Sequence, residues 1–256
     1  MFRDILIPTD GSDYSRTALE YGIYIAQRLD ARLTGLHVID IKVLQGPVLN
    51  DIGSAAGLCP GPEFFSVIEK TLEIRADNIL REFRNRCETQ GLRPDVRKVT
   101  GIIDEEIIRE GQAADLILLA QRGEHYPLSH SVLLGSTAEA VVRKSGKPVL
   151  VTPVQFVEIE SMGIAYDGSP PADRALKIAA ELSDKARWPL TVLIVTDQAK
   201  LSADLSAKVE AALDDYVIDK DTIVLGGKEE KEILRYIDEG AVELMLMGTH
   251  GHSRFK

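Results

Sequence analysis

The chain repeats itself, and this constrains its fold more than any single motif does. Adding 157 to positions in the first forty residues carries Asp10-Gly11-Ser12 onto Asp167-Gly168-Ser169 and Ala18-Leu19 onto Ala175-Leu176. In the same register Leu33-Thr34, Leu36, Val38 and Asp40 become Leu190-Thr191, Leu193, Val195 and Asp197. Farther along, an offset of 128 lays Asp115 to Gly123 over Glu243 to Gly251. The drop from 157 to 128 means that copy two has lost 29 residues in its middle. Copy one fills that length with a Gly/Pro-rich stretch, Gln45 to Pro62, and a charged helix from about Glu63 to Gln90. Repetition decides between one large domain and two small ones in a chain of 256 residues. The expected boundaries are 1–153 for the first domain, 154–160 for a linker and 161–256 for the second. A linker this short predicts closely packed domains.

Each copy alternates strands with helices. Asp4 to Pro8 is a short apolar run that stops at a turn, which suits a buried parallel strand. Ser12 to Leu29 then places Ala18, Leu19, Ile23, Ala26 and Leu29 at spacings of three and four, one apolar face of a helix. Further strands are expected at 33–39, 95–100, 116–120 and 148–152, with helices at about 63–90, 102–112 and 136–145. In copy two the strands fall near 162–166, 190–196, 222–225 and 243–247. Strands joined by helices imply an α/β fold with right-handed crossovers, hence two tandem doubly wound parallel sheets covered on both faces. Copy one runs about thirty residues from Gly123 to Pro153, whereas Lys256 follows Gly251 by five. The second domain is therefore expected to lack its last helix and strand.

Composition removes several classes of function. The formal charge is −10 and the isoelectric point is near 5.1, so no global positive field attracts nucleic acid or an anionic membrane. No apolar run approaches the roughly 18 residues that span a bilayer, and the first residues lack a signal-peptide core. Two cysteines, Cys59 and Cys87, make no disulfide scaffold and fit a reducing compartment. A cytoplasmic protein is expected.

In an open parallel sheet, ligands bind beyond the carboxyl ends of the strands, where the strand order reverses. After the first strand of each copy stand Pro8-Thr9-Asp10-Gly11-Ser12 and Ala165-Tyr166-Asp167-Gly168-Ser169. A turn-and-cap role accounts for Asp10 and Ser12, because both side-chain types accept bonds from the open amides of a helix start. After the fourth strand comes Ala120-Gln121-Arg122-Gly123, then eleven residues, then Gly135-Ser136-Thr137 opening a helix. Glycines let backbone approach an anion, and a helix start offers amides, a hydroxyl and the positive end of the dipole. Phosphate suits such a loop; so does a plain loop entering a capped helix.

These residues resemble the universal stress proteins in their tandem form. The resemblance rests on Pro-Thr-Asp-Gly-Ser, on His37-Val38-Ile39-Asp40, on the spaced glycines before Gly135-Ser136, and on Gly146-Lys147-Pro148-Val149-Leu150-Val151. It covers nearly the whole chain and implies Rossmann-like domains of the adenine nucleotide alpha hydrolase kind. Members with Gly, two residues, Gly, nine residues and Gly-Ser/Thr bind adenine nucleotide. Carried over, Asp10 accepts a hydrogen bond from the adenine amino group, the Val38 backbone meets the ring edge, and Pro8 and Thr9 lie along base and ribose. Ala120 and Gly123 line ribose and phosphate, while Gly135, Ser136 and Thr137 cradle phosphate oxygens. Ala120 replaces the first glycine, which adds a methyl on the ligand's path, and the spacer is eleven residues. A second site would use Ala165, Tyr166, Asp167, Val195, Gly248 and Gly251. The resemblance implies ATP or AMP as ligand, Mg²⁺ as an option beside ATP, an intrachain pseudo-dimer of domains and a homodimer of chains. It further implies a nucleotide-responsive stress or regulatory protein.

Two rival readings stay open: a slow ATPase or phosphotransferase, and an interaction scaffold with degenerate sites. The chain has no Gly-x-x-x-x-Gly-Lys-Ser/Thr loop and no evident base tied to a nucleophile, which favours binding over turnover. Thr249-His250-Gly251-His252 matches a nucleotidyltransferase signature, but it follows a fourth strand where that signature follows a first. His250 with His252, and His125 with His130, read as loop histidines because a third ligand is missing. The run Glu229-Glu230-Lys231-Glu232 reads as the solvated face of a helix. The apolar residues of 45–62 suggest a lid or a contact surface.

Overall fold

The computed structural model describes residues 2–45, 62–123 and 134–249. Cys59, most of the Gly/Pro-rich stretch, His125, His130, His250, Gly251 and His252 lie outside the described residues. The chain divides into two compact units, Met1–Phe156 and Val157–Lys256.

In unit one, β1 (Asp4–Pro8), β2 (Arg32–Asp40), β3 (Asp95–Gly101), β4 (Leu116–Ala120) and β5 (Val149–Thr152) form one sheet. Their order is β3-β2-β1-β4-β5 and every pairing is parallel. The helices are α1 (Asp13–Leu29), α2 (Ile41–Gln45), α3 (Pro62–Thr89), α4 (Ile103–Gly111) and α5 (Ser136–Lys144). Unit two repeats the plan with β6 (Met162–Ala165), β7 (Leu190–Val195), β8 (Lys220–Leu225) and β9 (Leu244–Met247) in the order β8-β7-β6-β9. Its helices are α6 (Pro170–Ala186), α7 (Ala199–Leu213) and α8 (Glu229–Asp238). Both units are thus the expected parallel α/β sheets, and the second is shorter.

The central strands are the most apolar because both of their faces are covered. Ile5, Leu6 and Ile7 of β1 and Leu116 to Leu119 of β4 are buried, whereas the edge strand β3 exposes Asp95, Arg97 and Lys98. One side of the first sheet packs Leu6, Leu36, Ile117 and Leu119 against Ile107 of α4 and Ala138 and Val141 of α5. On α1, Gly22 comes so near the sheet that a Cβ would lie 2.2 Å from Ile7 Cδ1. That glycine lets the helix sit close over β1, which fixes where the first turn of α1 meets the strand end.

The copies also match in a third register. An offset of 126 carries Gly101, Glu106, Ile107 and Arg109 onto Gly227, Glu232, Ile233 and Arg235. Strand pairing keeps it: Leu36 lies opposite Arg97, and Leu193 lies opposite Ile223. The net difference of 29 residues therefore combines a loss of 31 ahead of this register with a gain of two between α8 and β9. Both changes fall between elements of the sheet.

Candidate functional site

Because β1 is flanked by β2 and β4, the strand order reverses beside it, and the loops after β1 and β4 part to opposite faces. The last rung between β1 and β2 is the Thr9 amide donating to the Leu36 carbonyl at 2.8 Å. In a parallel ladder the two backbone groups of one residue face the same neighbour, and successive residues alternate. Val38, two residues on, therefore turns its N–H and C=O toward the side that β1 has left. Its side chain packs on the Leu36 and Ile107 cluster. His37 Nδ1 lies 2.8 Å from the Thr9 carbonyl and pins the turn to β2.

Asp10 has the turn role, through one of its oxygens. Oδ1 accepts the Ser12 amide at 3.0 Å and the Ser12 hydroxyl at 2.6 Å, and Ser12 Oγ accepts the Ser15 amide at 3.2 Å as cap of α1. Oδ2 points to the loop after β4, so that a Cβ on Gly123 would lie 3.0 Å from it. Gly11, at φ +80°, makes the turn between them. The Gly135 amide donates to the Gln121 carbonyl at 2.9 Å, and the Gln121 amide to the Thr152 carbonyl at 3.1 Å. These bonds hold the start of α5 against the end of β4. Gly135 is the N-cap residue of α5 and supplies no side-chain cap, in contrast to Ser12 on α1. Its first turn, Ser136 to Ala138, thus presents amides that no cap residue covers, at the positive end of the helix dipole.

Pro8 and Val38 thus stand near the carboxyl ends of β1 and β2, with Thr9, Asp10, Gly123 and Gly135 in the loops beyond the strands and Ser136 and Thr137 opening α5. A groove of about 370 Å³ runs between the β1–α1 turn and α3, lined by Asp10, Arg16, Arg75 and Glu82 among others.

Unit two builds the same turn. The Tyr166 amide donates to the Leu193 carbonyl at 2.9 Å, Asp167 Oδ1 accepts the Ser169 amide at 2.9 Å, and Ser169 caps α6 ahead of Pro170. Val195 stands where Val38 does. A cavity of about 50 Å³ is lined by Ala165, Tyr166, Asp167, Val195 and Gly248, five of the six residues expected for a second site. Gly248 lies against the first turn of α6: a Cβ there would sit 2.9 Å from the Ala172 amide nitrogen. The Tyr166 hydroxyl donates to Asp173 at 2.7 Å, and Lys208 Nζ reaches Asp173 at 2.9 Å and the Gly168 carbonyl at 3.0 Å. Burial, reinforced by Asp173, raises the Tyr166 hydroxyl well above the usual phenol range. Burial also works to raise Asp173, but the hydrogen bonds from Lys208 and Tyr166 outweigh it and hold the carboxyl below its ordinary value.

The same cavity is lined by Glu229 and Ile233 of α8, which were not foreseen as site residues. The Glu229–Glu232 run is not a solvated face throughout. Glu229 lines the cavity, and Glu232 is 9% exposed, paired with Arg235 beside Gly227. Glu106 is buried in the same way beside Gly101 and paired with Arg109. The 126 register carries these residues, and searching for it would have found them. Among the described residues no group of three His, Cys, Asp or Glu could hold a metal ion, and no helix is long and apolar enough to cross a membrane.

Fold and site together define tandem doubly wound α/β domains with polar turns gathered where the strand order reverses. The chain belongs to the universal stress protein family, which matches residues 1–153 and 158–256. It is 29% identical to universal stress protein Slr1230 of Synechocystis, over 99% of this chain and 92% of that one. A universal stress protein structure from Archaeoglobus fulgidus shares the fold, with a TM-score of 0.76 at 24% identity over 95% of this chain and 86% of that chain. A family member from Arabidopsis thaliana with AMP bound is 17% identical, covers 58% of this chain and 90% of its own, and has a TM-score of 0.41.

Proposed function

We propose that this universal stress protein binds an adenine nucleotide, ATP or AMP, in the cleft of unit one, and acts in the cytoplasm as a nucleotide-responsive regulatory protein. The observation that carries the reading is the uncapped start of α5. Gly135 itself offers the first-turn amides no side-chain acceptor, and the bond from Gly135 to Gln121 ties the start of the helix to the loop after β4, whose Gly123 faces Asp10. A phosphate oxygen supplies the acceptor that the cap residue lacks. Beyond the end of β1, the Val38 N–H and C=O supply a donor–acceptor pair suited to the edge of adenine, with the Asp10 carboxylate alongside. None of this requires a basic lining, so it agrees with an acidic chain. Unit two offers a second cleft on the same plan, and nucleotide binding changes the protein's assembly or its contacts with partners.

Isothermal calorimetry on the intact chain with ATP, AMP and GTP tests the reading. Heat is expected with both adenine nucleotides and little with GTP, and Ser136→Ala combined with Thr137→Val weakens binding about tenfold, as for the loss of one or two charge-assisted hydrogen bonds. Absence of heat at millimolar ATP and AMP refutes it.

A further inference from the structure

Helices α1 and α3 in unit one, and α6 and α7 in unit two, are joined by ion pairs at equivalent positions with the charges reversed. In unit one Arg16 Nε donates to Glu82 Oε1 at 2.9 Å, and Arg86 Nη2 to Glu20 Oε1 at 2.9 Å. In unit two the places of Arg16 and Glu82 are taken by Asp173 and Lys208, which meet at 2.9 Å. The equivalence is fixed by packing as well as by sequence offset. A Cβ on Gly11 would strike Ile79, and one on Gly168 would strike Leu205, the residue 126 positions on. Phe83 and Cys87 are buried on α3 as Val209 and Leu213 are buried on α7. The two helix pairs therefore share one register, although Phe83 packs over Gly35 where copy two has Val192 on the strand and Val209 on the helix.

The polar seams discriminate between copies. Were α1 to meet α7, Arg16 would face Lys208 and Glu20 would face Ala212. Were α6 to meet α3, Asp173 would face Glu82 and Lys177 would face Arg86. Each exchange replaces attraction with like charge, three such meetings in all. Helix exchange between tandem repeats is a characteristic failure of repeated folds, and a shared helix register permits it. We propose that this charge reversal is a pairing code: it directs each first helix to the second helix of its own copy and disfavours exchange between copies, within one chain or between two. The pairs are all partly exposed, so each contributes little to native stability. Their effect lies in the difference between right and wrong partners, where gained repulsion adds to lost attraction.

The test makes both copies carry one polarity at this pair while leaving the pair between the two helices opposite in sign. R16D/E82K gives copy one the Asp–Lys pair of copy two, and D173R/K208E gives copy two the Arg–Glu pair of copy one. R16Q/E82Q removes the pair without changing its polarity. The full-length chain is unfolded in urea, diluted to micromolar concentration and resolved by size exclusion, and native-state stability is measured in parallel. The homogenised variants are expected to give about ten times the misassembled or oligomeric fraction of the parent chain, and more than R16Q/E82Q gives at the same measured stability. If both homogenised variants refold to the parent's monomer fraction, the code is refuted. A yield that merely follows the stability midpoint through all three variants refutes it equally, since the pair is then only a local strut. Should one homogenised variant fail to fold, its mirror decides.

Discussion

Gly168→Ala probes the turn on which the second cleft is built, and the structure sets its magnitude. Gly168 has φ +74°, a conformation that costs a residue with a Cβ about 1–2 kcal/mol. The new methyl would also lie 2.5 Å from Leu205 Cδ2, an end atom that moves aside only by leaving its rotamer, at about 0.5–1.5 kcal/mol. The expected loss is thus about 2–3 kcal/mol. The readout is local, because the chain has a single tryptophan and Trp188 is buried in unit two at 4% exposure. Urea unfolding followed by Trp188 fluorescence should show the midpoint lowered by about 1–1.5 M for a slope near 2 kcal/mol/M. Repeating the substitution in a Leu205→Ala background separates the two causes. There the methyl enters space that the leucine has left, and only the backbone cost, about 1–2 kcal/mol, remains. An equal cost in both backgrounds, within about 0.5 kcal/mol, would show that the leucine contact is not the cause; no loss in either would overturn the turn geometry itself.

Gly248→Ala is expected to destabilise unit two by about 1–3 kcal/mol, because its Cβ meets the backbone at Ala172 and Pro171, which cannot rotate away; the reciprocal Ala120→Gly should leave unit one within about 1 kcal/mol of its parent. Denaturation by Trp188 fluorescence for the first, and by far-ultraviolet circular dichroism for the second, measures both. Acid should weaken unit two through Asp173 and Glu243. Asp173 is pushed up by burial but pulled lower by Lys208 and Tyr166, and Glu243 is pushed up by burial but pulled lower by the Ser161 amide and hydroxyl and the Glu160 amide. Carboxyls lowered on folding stabilise above their ordinary values, here 3.8 and 4.5, and lose that contribution as pH falls from there through the lowered folded values. The Trp188 midpoint should decline across that window, and Asp173→Asn should flatten the decline.

Residues tied to one local requirement were legible from sequence. Ile5 to Ile7 and Leu116 to Leu119 read as strands because burial on both faces demands unbroken apolar runs. Asp10-Gly11-Ser12 read as a turn because a positive φ and a helix cap select those residue types. Residues whose role depends on a distant partner did not read. The five-residue helix Ile41–Gln45 follows β2 directly and is too short for an apolar period. Glu232 looks solvated within a charged run, yet it is buried because Gly227 leaves room for it and Arg235, one turn on, pairs with it. The direction of the Val38 backbone follows only from knowing that β1 ends opposite Leu36.

The two clefts can be compared as variants on one scaffold. The 31-residue and two-residue differences fall between sheet elements, and β7 pairs with β8 in the same register as β2 with β3, from Thr34 opposite Asp95 to Val38 opposite Val99. Over the rungs that the two sheets share, the strand ends can be compared side chain by side chain. Thr9 stands against Tyr166, Ser15 against Ala172, Ile103 against Glu229, and Ala120 against Gly248. Two of these exchanges alter polarity in the cleft of unit two: Tyr166 turns its hydroxyl to Asp173, while Glu229 adds a carboxylate to a cavity already lined by Asp167. The apolar Ile103 at the matching place in unit one leaves Asp10 as the acidic group of its turn. For a ligand that carries phosphate, added negative charge at a partly buried wall works against binding. For the nucleotide proposed above, these side chains favour unit one, even though unit two keeps the glycine that the family pattern asks for at position 248.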